Sequence, residues 1–486
     1  MQRVKIKEGY ALTGWRTEIY PVSADKRGKV SSLCDVLKAL RTLFWARQIV
    51  WDRLIEERHK ADALKREYLR QHGEKAPLEK VNEYAIGVSS NPGLVGFPFP
   101  PSRKCLSNVA HVDLPEAYNR WYAALKERKG NRAKRTKAEN WAHRKVGRAA
   151  WMYGRPKKKR RENAKSTYLH PQAFKVIEDI LYVGGVPGGF KLAHPFHSKD
   201  EKLKFYYKSG GIREQAGHFF ATFTLEVPQA WLSLSRVAND VTGIDLGISK
   251  ALVTGNAETK NTAEHKLPRY WEDKHMRRLQ KLKTKWSHAM QRRMDGAKKR
   301  NVPFRSSGGY REAVAKLGEI NLAIVNLRRD QQHKLTTKIV KQSACVVVED
   351  LNVKGMTGKN EKHAPGAKSE RKRILDTGFG EIRRQLTYKS PRSQTRLLVA
   401  DRFFASTQTC SGCGNRLRDA DKLSRGDKIY NCPKCGLSLN RDHNAALTLA
   451  NLGQKHFEAL NPEQVFTTDE DGQLVKPKEI QKQAST

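Results

Sequence analysis

The apolar positions of this chain change period several times. From Leu33 onward they return as Leu33, Leu37, Leu40, Phe44, Val50 and Leu54, and the pattern thins towards Leu69 before His72 and Gly73. Apolar residues spaced three, four and seven apart share one face of a helix, so this stretch predicts one long helix or a helical pair. Upstream, Trp15 to Val22 (WRTEIYPV) alternates weakly and predicts a short strand. Ser89 to Ser102 (SSNPGLVGFPFPPS) is a Pro/Gly loop. Beyond it Asp113 can cap a helix that has Pro115 in its first turn and Leu114, Tyr118, Trp121 and Leu125 on one face.

The second half alternates strands and helices. Lys202 to Val227 reads as KFYYK, a Gly-Gly turn, and the strand HFFATFTLEV. Val241 to Gly255 (VTGIDLGISKALVTG) predicts two short strands about a tight turn. A charged helical hairpin follows, broken at Asn301 to Gly309 (NVPFRSSGG), with Leu317, Ile320, Ile324, Leu327 and Leu335 marking its second arm. ACVVVED, ending at Asp350, is a continuous apolar run, as expected of a strand covered on both faces. Asp376 to Ser390 predicts a helix with Phe379, Ile382 and Leu386 inward, and TRLLVAD a further strand. This order predicts an α/β core on a twisted, mostly mixed sheet.

Composition then narrows the partners. The 486 residues are 38% apolar, enough to fill real cores. Lys and Arg number 93 against 50 Asp and Glu, giving a formal charge of +43. A polyanion is the expected partner, because each neutralised phosphate releases a counterion whatever the sequence. No stretch approaches 18 apolar residues, and the opening MQRVKIKEGYALTGW lacks a signal peptide's apolar core, so no membrane role and a cytoplasmic location are expected. Two basic runs, Glu127 to Lys137 and Gly154 to Lys165, flank a segment with Trp141, Trp151 and Tyr153. Cations that neutralise phosphates beside rings that stack on bases make Lys157, Lys158, Lys159, Arg160 and Arg161 candidate nucleic-acid contacts. The plainer readings are a solvated charged face or a localisation signal.

Three acids end apolar elements. Asp245 lies in GIDLG, beside a glycine that lets a ligand come close, and Glu349 closes VVVED. Asp442 opens DHNAALTLANL, where a helix N-terminus favours negative charge. Each alone has a duller account: Asp442 as an N-cap, and Asp350 as an equal alternative to Glu349. Together they form a carboxylate set of the kind that holds Mg2+ while leaving sites for a substrate phosphate. Two such ions stabilise the attacking and leaving oxygens of a displacement at phosphorus. Cys410, Cys413, Cys432 and Cys435 form C-x2-C-x18-C-x2-C, each pair followed by glycine, which is the spacing of a four-thiolate zinc ribbon. Cys34, Cys105 and Cys345 are expected to be plain small hydrophobes.

With these residues in place, the sequence resembles the TnpB family of transposon-encoded RNA-guided nucleases and the compact type V CRISPR effectors related to them. The resemblance rests on GIDLGI around Asp245, VVVEDLNVKGM around Glu349, FGEIRRQLTYK, FASTQTCSGCG, and CPKCG followed by NRDHNAA around Asp442, in family order over Val241 to Gly453. IYPV, DLPEAYNRWYAAL and GRPKKKR match more loosely. The resemblance implies an RNase H-like, RuvC-type nuclease core at 240–405 and 441–455, with a zinc ribbon inserted at 406–440. It further implies an oligonucleotide-binding-like β-barrel from 1–25 and 166–239, a helical recognition lobe at 26–165, and a tail at 456–486.

The implied activity is RNA-guided cleavage of double-stranded DNA with Asp245, Glu349 and Asp442 as the catalytic acids, two Mg2+ and one structural Zn2+. Base pairing with a guide RNA would read the sequence, and the protein only a short adjacent motif. Gly355 to Arg373 would be a lid, and Arg383, Arg384, Arg425 and Lys428 would contact nucleic acid. The ribbon would fold over the active site and help load the strand to be cut. Two positions depart from the family. Lys428 stands where an arginine is common, keeping the charge but not the bidentate fork, and Asn440 replaces an acid. A guided repressor without catalysis would carry a broken triad, whereas this triad is whole. A DNA-joining transposase would carry an end-binding domain, and none is recognisable. Monomer and homodimer both remain open.

Overall fold

The computed structural model describes residues 6–8, 10–73, 164–197, 204–234, 237–247, 252–265, 273–353, 377–418, 421–424 and 426–475, with short pieces between 85 and 119 and at 356 and 374–375. Cys105, Arg425, the run from Lys157 to Arg161, most of the helix expected from Asp113 and nearly all of 355–373 lie outside the described residues. The chain divides into two compact units, Met1–Gln229 and Ala230–Gln483. Among the described residues no helix is long and apolar enough to cross a membrane.

The first unit begins with strand β1 (Tyr10–Val22), longer than its alternation predicts, and helix α1 (Leu33–His72). Ser32 caps α1 by accepting from Asp35 N at 3.1 Å, and Gly73 ends it in the left-handed region, so the apolar stripe is one helix and not a pair. Strands β2 (Ser166–Leu169), β3 (Phe174–Ile177), β4 (Ile180–Val183), β5 (Gly189–Leu192), β6 (Tyr206–Gln215) and β7 (His218–Pro228) join β1 in the order β2-β6-β7-β1-β5-β4-β3. The Phe174 ring on β3 lies 6.2 Å from that of Tyr207 on β6. Five strand spacings would put them about 24 Å apart in a flat sheet, so this sheet curls strongly on itself.

Two expectations for this unit need correction. Gly210 and Gly211 are not a turn but lie inside β6, and the chain reverses at Ala216 and Gly217. A Cβ on Gly210 would come within 3.1 Å of the Phe223 ring on the neighbouring strand. The glycine pair thus makes room for that ring. Cys34 is exposed and packs into no core, whereas Cys345 in the second unit is fully buried.

The second unit runs β8 (Asp240–Asp245), β9 (Leu252–Asn256), β10 (Thr262–His265), α2 (Lys274–Lys299), α3 (Gly308–Gln342), β11 (Ser343–Glu349), α4 (Phe379–Lys389) and β12 (Arg396–Ala400). It continues through β13 (Ile429–Asn431), β14 (Ser438–Asn440), α5 (Arg441–His456), β15 (Val465–Thr468) and β16 (Leu474–Val475). The core sheet has the order β10-β9-β8-β11-β12-β15-β16, with β8, β11, β12 and β15 parallel and β9 antiparallel to β8. The stretch expected to be a tail from 456 therefore supplies the sheet's last strands. Their short apolar runs, VFTT and LV, are held mainly by long-range pairing such as Leu397 with Val465.

The apolar run of β11 is buried on both faces. Ile244, Val346, Val348 and Leu397 pack with Ile339 of α3 and Phe379 and Ile382 of α4. Val241, Cys345, Val347 and Leu398 pack on the other side with Leu449, Ala450 and Leu452 of α5. Helix α5 comes to backbone contact on that side. A Cβ on Gly243 would sit 2.1 Å from Ala446 O and 2.3 Å from Ala450 N, and one on Gly453 would sit 2.5 Å from Val347 Cγ2. A buried Ala445, Ala446 and Ala450 face completes the close fit.

Gly243→Ala should therefore destabilise this unit by about 1–3 kcal/mol in urea unfolding, the usual cost of overpacking. Gly296→Ala on α2, where nothing lies within 4 Å of the added methyl, should be neutral or stabilising. Equal effects at the two glycines would contradict the close docking of α5.

Candidate active site

Asp245 and Glu349 are the last residues of β8 and β11, and the register pairs Ile244 with Val348 just before them. Both acids therefore stand together at the carboxyl edge of the sheet. Alternation fixes their side: Ile244 and Val348 face the α4 cluster, so Asp245 and Glu349 face α5. Asp442 lies in the first turn of that helix.

Asp245 is 8% exposed. Burial raises its carboxyl well above the ordinary aspartate range, and the negative charges of Glu349 and Asp442 raise it further, against Arg441 and the Leu246 N–H. Burial also raises Glu349, opposed by a hydrogen bond that the Ser406 hydroxyl donates to Glu349 Oε1. The structure thus brings Glu349 and Asp442 into electrostatic range of the buried Asp245.

The duller readings of these acids do not fit. The N-cap of α5 is Asn440, whose Oδ1 accepts from Asp442 N at 3.0 Å, so Asp442 is not the capping residue. The departure at Asn440 therefore preserves the helix start. Asp350 is already engaged: Arg383 pairs with its Oδ1, and Arg402 donates to Oδ2 at 3.2 Å. Burial would raise the Asp350 carboxyl, but these two guanidiniums outweigh it and hold it below its ordinary value. Arg384 is likewise occupied, donating to both Glu381 oxygens at 2.8 and 2.7 Å. Lys428 is exposed, and its backbone oxygen accepts from Arg441 N at 2.9 Å.

The four cysteines form one cage. Sγ of Cys410 lies 3.6 Å from that of Cys435, Cys413 lies 3.6 Å from Cys432, and all four sulfurs are within 4.8 Å of one another. Thiolates bound at about 2.3 Å around a tetrahedral centre stand about 3.8 Å apart, so the cage has the size and donor set that zinc takes. The two knuckles repeat one geometry. Gly414 N donates to Cys410 O and Gly436 N to Cys432 O, each at 3.0 Å, with φ of 72° and 74° that only glycine adopts freely.

One face of α5 carries the first knuckle. Asn444, fully buried, accepts from Ser411 N at 2.9 Å and donates to Thr409 O at 2.7 Å. Thr448 also donates to Thr409 O at 3.1 Å, and Asn451 to Ser411 O at 2.8 Å. On the other side His443 meets Thr262 Oγ1 at 2.8 Å and Glu264 Oε1 at 3.0 Å on β10. The segment that binds Glu349 through Ser406 thus continues into the knuckle that grips the helix of Asp442. Sequence reasoning did not single out Ser406, His443 or Asn444. Ser406 lies within FASTQTCSGCG, and the other two within NRDHNAA, so the motifs held the signal but not the contacts.

Two family descriptions match the chain: "Probable transposase" (OrfB_IS605) over residues 232–360 and "Cas12f1-like, TNB domain" over residues 379–449. A Mycobacterium tuberculosis protein named "Putative RNA-guided DNA endonuclease" is 29% identical over 208 residues, 43% of this chain and 40% of the relative. InsQ of Escherichia coli, which carries the same description, is 33% identical over 164 residues, 32% of this chain and 39% of the relative. The TnpB-like protein L79 of Acanthamoeba polyphaga mimivirus is 29% identical over 133 residues, 27% of this chain and 24% of the relative. The matched part of the chain thus spans well under half of each of these relatives. A chain from the cryo-EM structure of a Cas12f1–sgRNA–target DNA complex aligns with a TM-score of 0.39 and 12% identity over 91% of this chain and 99% of that one.

Fold and site define an α/β protein with an acidic cluster at the carboxyl edge of a mixed sheet and a four-cysteine module docked on the helix of the third acid. Over these matched segments the chain is similar to the TnpB-like proteins.

Two outcomes follow from this geometry. Cys410→Ser or Cys435→Ser should release one equivalent of zinc, measured by a chromophoric chelator, and loosen 406–440 in hydrogen exchange while the core strands stay protected. A well-folded preparation without zinc would contradict the cage. For Asp245, a raised folded pKa means that the native state binds its proton more tightly than the unfolded one, so stability is lost as pH rises above the ordinary carboxylate range. With no divalent cation present, Asp245→Asn should raise the Tm at pH 7 by at least about 2 °C, and the gain should vanish near pH 4. A lower Tm at pH 7 would contradict the crowding of acids.

Proposed function

We propose that this chain is an RNA-guided DNA endonuclease, with an RNase H-like, RuvC-type core in which Asp245, Glu349 and Asp442 are the catalytic acids. The observation that carries the reading is the alignment of Asp245 and Glu349 on the sheet face beneath the helix of Asp442, with burial and mutual repulsion acting on Asp245. An oxygen-only donor set with excess negative charge suits Mg2+. When bound there, a pair of such ions stabilises the attacking and leaving oxygens of an in-line displacement at phosphorus.

The chain's own groups have separable tasks in this reading. Asp245, buried and fixed at a strand end, is a rigid ligand, and Glu349 is oriented by the Ser406 hydroxyl. Asp442 is held by the docking of α5, and His443 braces the start of that helix against β10. Cys410, Cys413, Cys432 and Cys435 hold one structural zinc. The module at 406–440 thereby sets the placement of both Glu349 and Asp442, and presents Lys428 to the strand being cut. Arg383 and Arg384 reach phosphates only by sharing or leaving Asp350 and Glu381.

The nuclease core takes in 240–405 and 441–455 together with the strands after 456. The oligonucleotide-binding-like barrel is the domain at 1–25 and 166–239, whose curled antiparallel sheet ends at Pro228, and 26–165 is the recognition lobe. Guide RNA would lie on the basic surfaces, including the run from Lys157 to Arg161. Double-stranded DNA would be read by guide pairing after recognition of a short adjacent motif.

Asp245→Ala, Glu349→Ala and Asp442→Ala should each lower cleavage of guide-matched DNA by at least about 100-fold. Guided binding, read by gel shift, should stay within a few-fold of wild type. Near wild-type cleavage by any one of them would remove that acid from the site. Loss of guided binding in all three would favour a structural role.

A further inference from the structure

The hairpin of β9 and β10 lies along α5 because Gly255, like Gly243, lets strand and helix backbones meet. A Cβ on Gly255 would come within 2.8 Å of Ala446 C and Leu447 N. From this edge of the sheet three side chains reach the helix. Thr262 Oγ1 and Glu264 Oε1, two residues apart on one face of β10, hold the two ring nitrogens of His443, Nδ1 at 2.8 Å and Nε2 at 3.0 Å. Lys260 Nζ donates to Asn451 Oδ1 at 2.9 Å, and the same amide donates to Ser411 O at 2.8 Å. The turn that carries Lys260 is locked from within, Asn256 Oδ1 accepting from Glu258 N at 2.8 Å and Thr259 N at 3.0 Å. His443 and Asn451 are eight residues apart, so the two grips stand about 12 Å from each other along the helix.

Stability alone does not account for these contacts. The His443 and Glu264 side chains stay 25% and 31% exposed, and polar pairs so open to water add little to folding. What they supply is direction. The glycine and alanine contact sets how close α5 lies to the sheet, but a smooth contact leaves the helix free to turn about its own axis. A turn of about 20° moves a group about 6 Å from that axis by about 2 Å, as much as a whole Mg–O bond. His443 directly follows Asp442, so a grip on both of its ring nitrogens fixes the rotation at the residue where it matters. The knuckle also holds the helix, through Asn444, Thr448 and Asn451. Strand β10, however, belongs to the sheet that bears Asp245, so its grip refers α5 directly to the strand ends.

We propose that Glu264 and Thr262 are positioning residues for the reaction: acting through His443 they set the rotation of α5 and so aim Asp442 at the site it shares with Asp245 and Glu349. Lys260 steadies the same helix further along through Asn451. The inference rests on the proposed role of Asp442 as a cation ligand, and adds to it residues of an edge strand that hold no cation themselves.

The test measures Mn2+ binding to the zinc-loaded full chain, by electron paramagnetic resonance of the free ion, beside cleavage of guide-matched DNA. Glu264→Ala should raise the Kd for Mn2+ about 10-fold, the usual effect of losing a partner that orients a metal ligand, and should lower kcat while leaving KM for the DNA unchanged. Glu264→Gln keeps an acceptor oxygen and should stay within about 3-fold of wild type. Glu264→Ala combined with His443→Ala should bind Mn2+ no more weakly than His443→Ala alone, because both break one chain of contacts. Thr254→Val, which removes a hydroxyl that meets His265 Nε2 at 2.9 Å on the same hairpin, should leave Mn2+ affinity unchanged. The Tm of each variant should stay within about 3 °C of wild type, so that a lost fold is not read as lost aim. Unchanged Mn2+ affinity in Glu264→Ala, where Asp442→Ala has lost it, would overturn the positioning and leave the role of Asp442 standing, and so would equal weakening in Thr254→Val. Undiminished Mn2+ binding in Asp442→Ala would overturn the role of Asp442 and the positioning with it.

Discussion

The site depends on how closely α5 lies against the core sheet. Ordinary side chains between a helix and a sheet hold the two backbones well apart, but here Gly243 and Gly453 remove the obstacle and Ala446 and Ala450 meet the strand directly. This contact sets the depth of the α5 N-terminus over the ends of β8 and β11. A helix lifted by one side chain would carry Asp442 away from Asp245 and Glu349, and the electrostatic crowding on Asp245 would weaken. The same contact leaves the polar side of α5, Asn444, Thr448 and Asn451, to receive the first cysteine knuckle. One close approach thus fixes the third acid and seats the metal module together.

The joining of knuckle and acid in sequence has a physical reason in this arrangement. The segment entering the knuckle touches Glu349 through Ser406, and the segment leaving it begins the helix of Asp442 at Asn440. A thiolate cage between the two makes the entry and exit points rigid relative to each other. In the proposed reaction, that rigidity keeps two acids from separate elements in register with a third on β8. Ion pairing near the site follows the same logic: Asp350 is neutralised by Arg383 and Arg402 and so adds no further negative charge to the crowded edge.

Much of this was legible in the sequence where one residue class or one period decides the outcome. The helical period from Leu33, the two-sided apolar run before Glu349 and the spacing of Cys410, Cys413, Cys432 and Cys435 each predict an element that the structure contains. The hidden parts depend on partners far along the chain. Gly210 and Gly211 read locally as a turn, yet the ring of Phe223 makes them strand residues. The strands after 456 are too short to show a period and exist through pairing with β12 and with each other. Ser406 looks like any loop serine until Glu349 is brought to it across 57 residues.

The central claim is that three carboxylates from separate elements form one cation site because α5 is docked through glycine. Binding of Mn2+ as a stand-in for Mg2+, counted by electron paramagnetic resonance of the free ion, tests it most directly. The account predicts saturable binding to the zinc-loaded wild-type chain, loss of that binding in Glu349→Gln, and equal loss in Gly243→Val, which keeps every acid but lifts the helix. Undiminished Mn2+ binding in folded Gly243→Val would contradict the account.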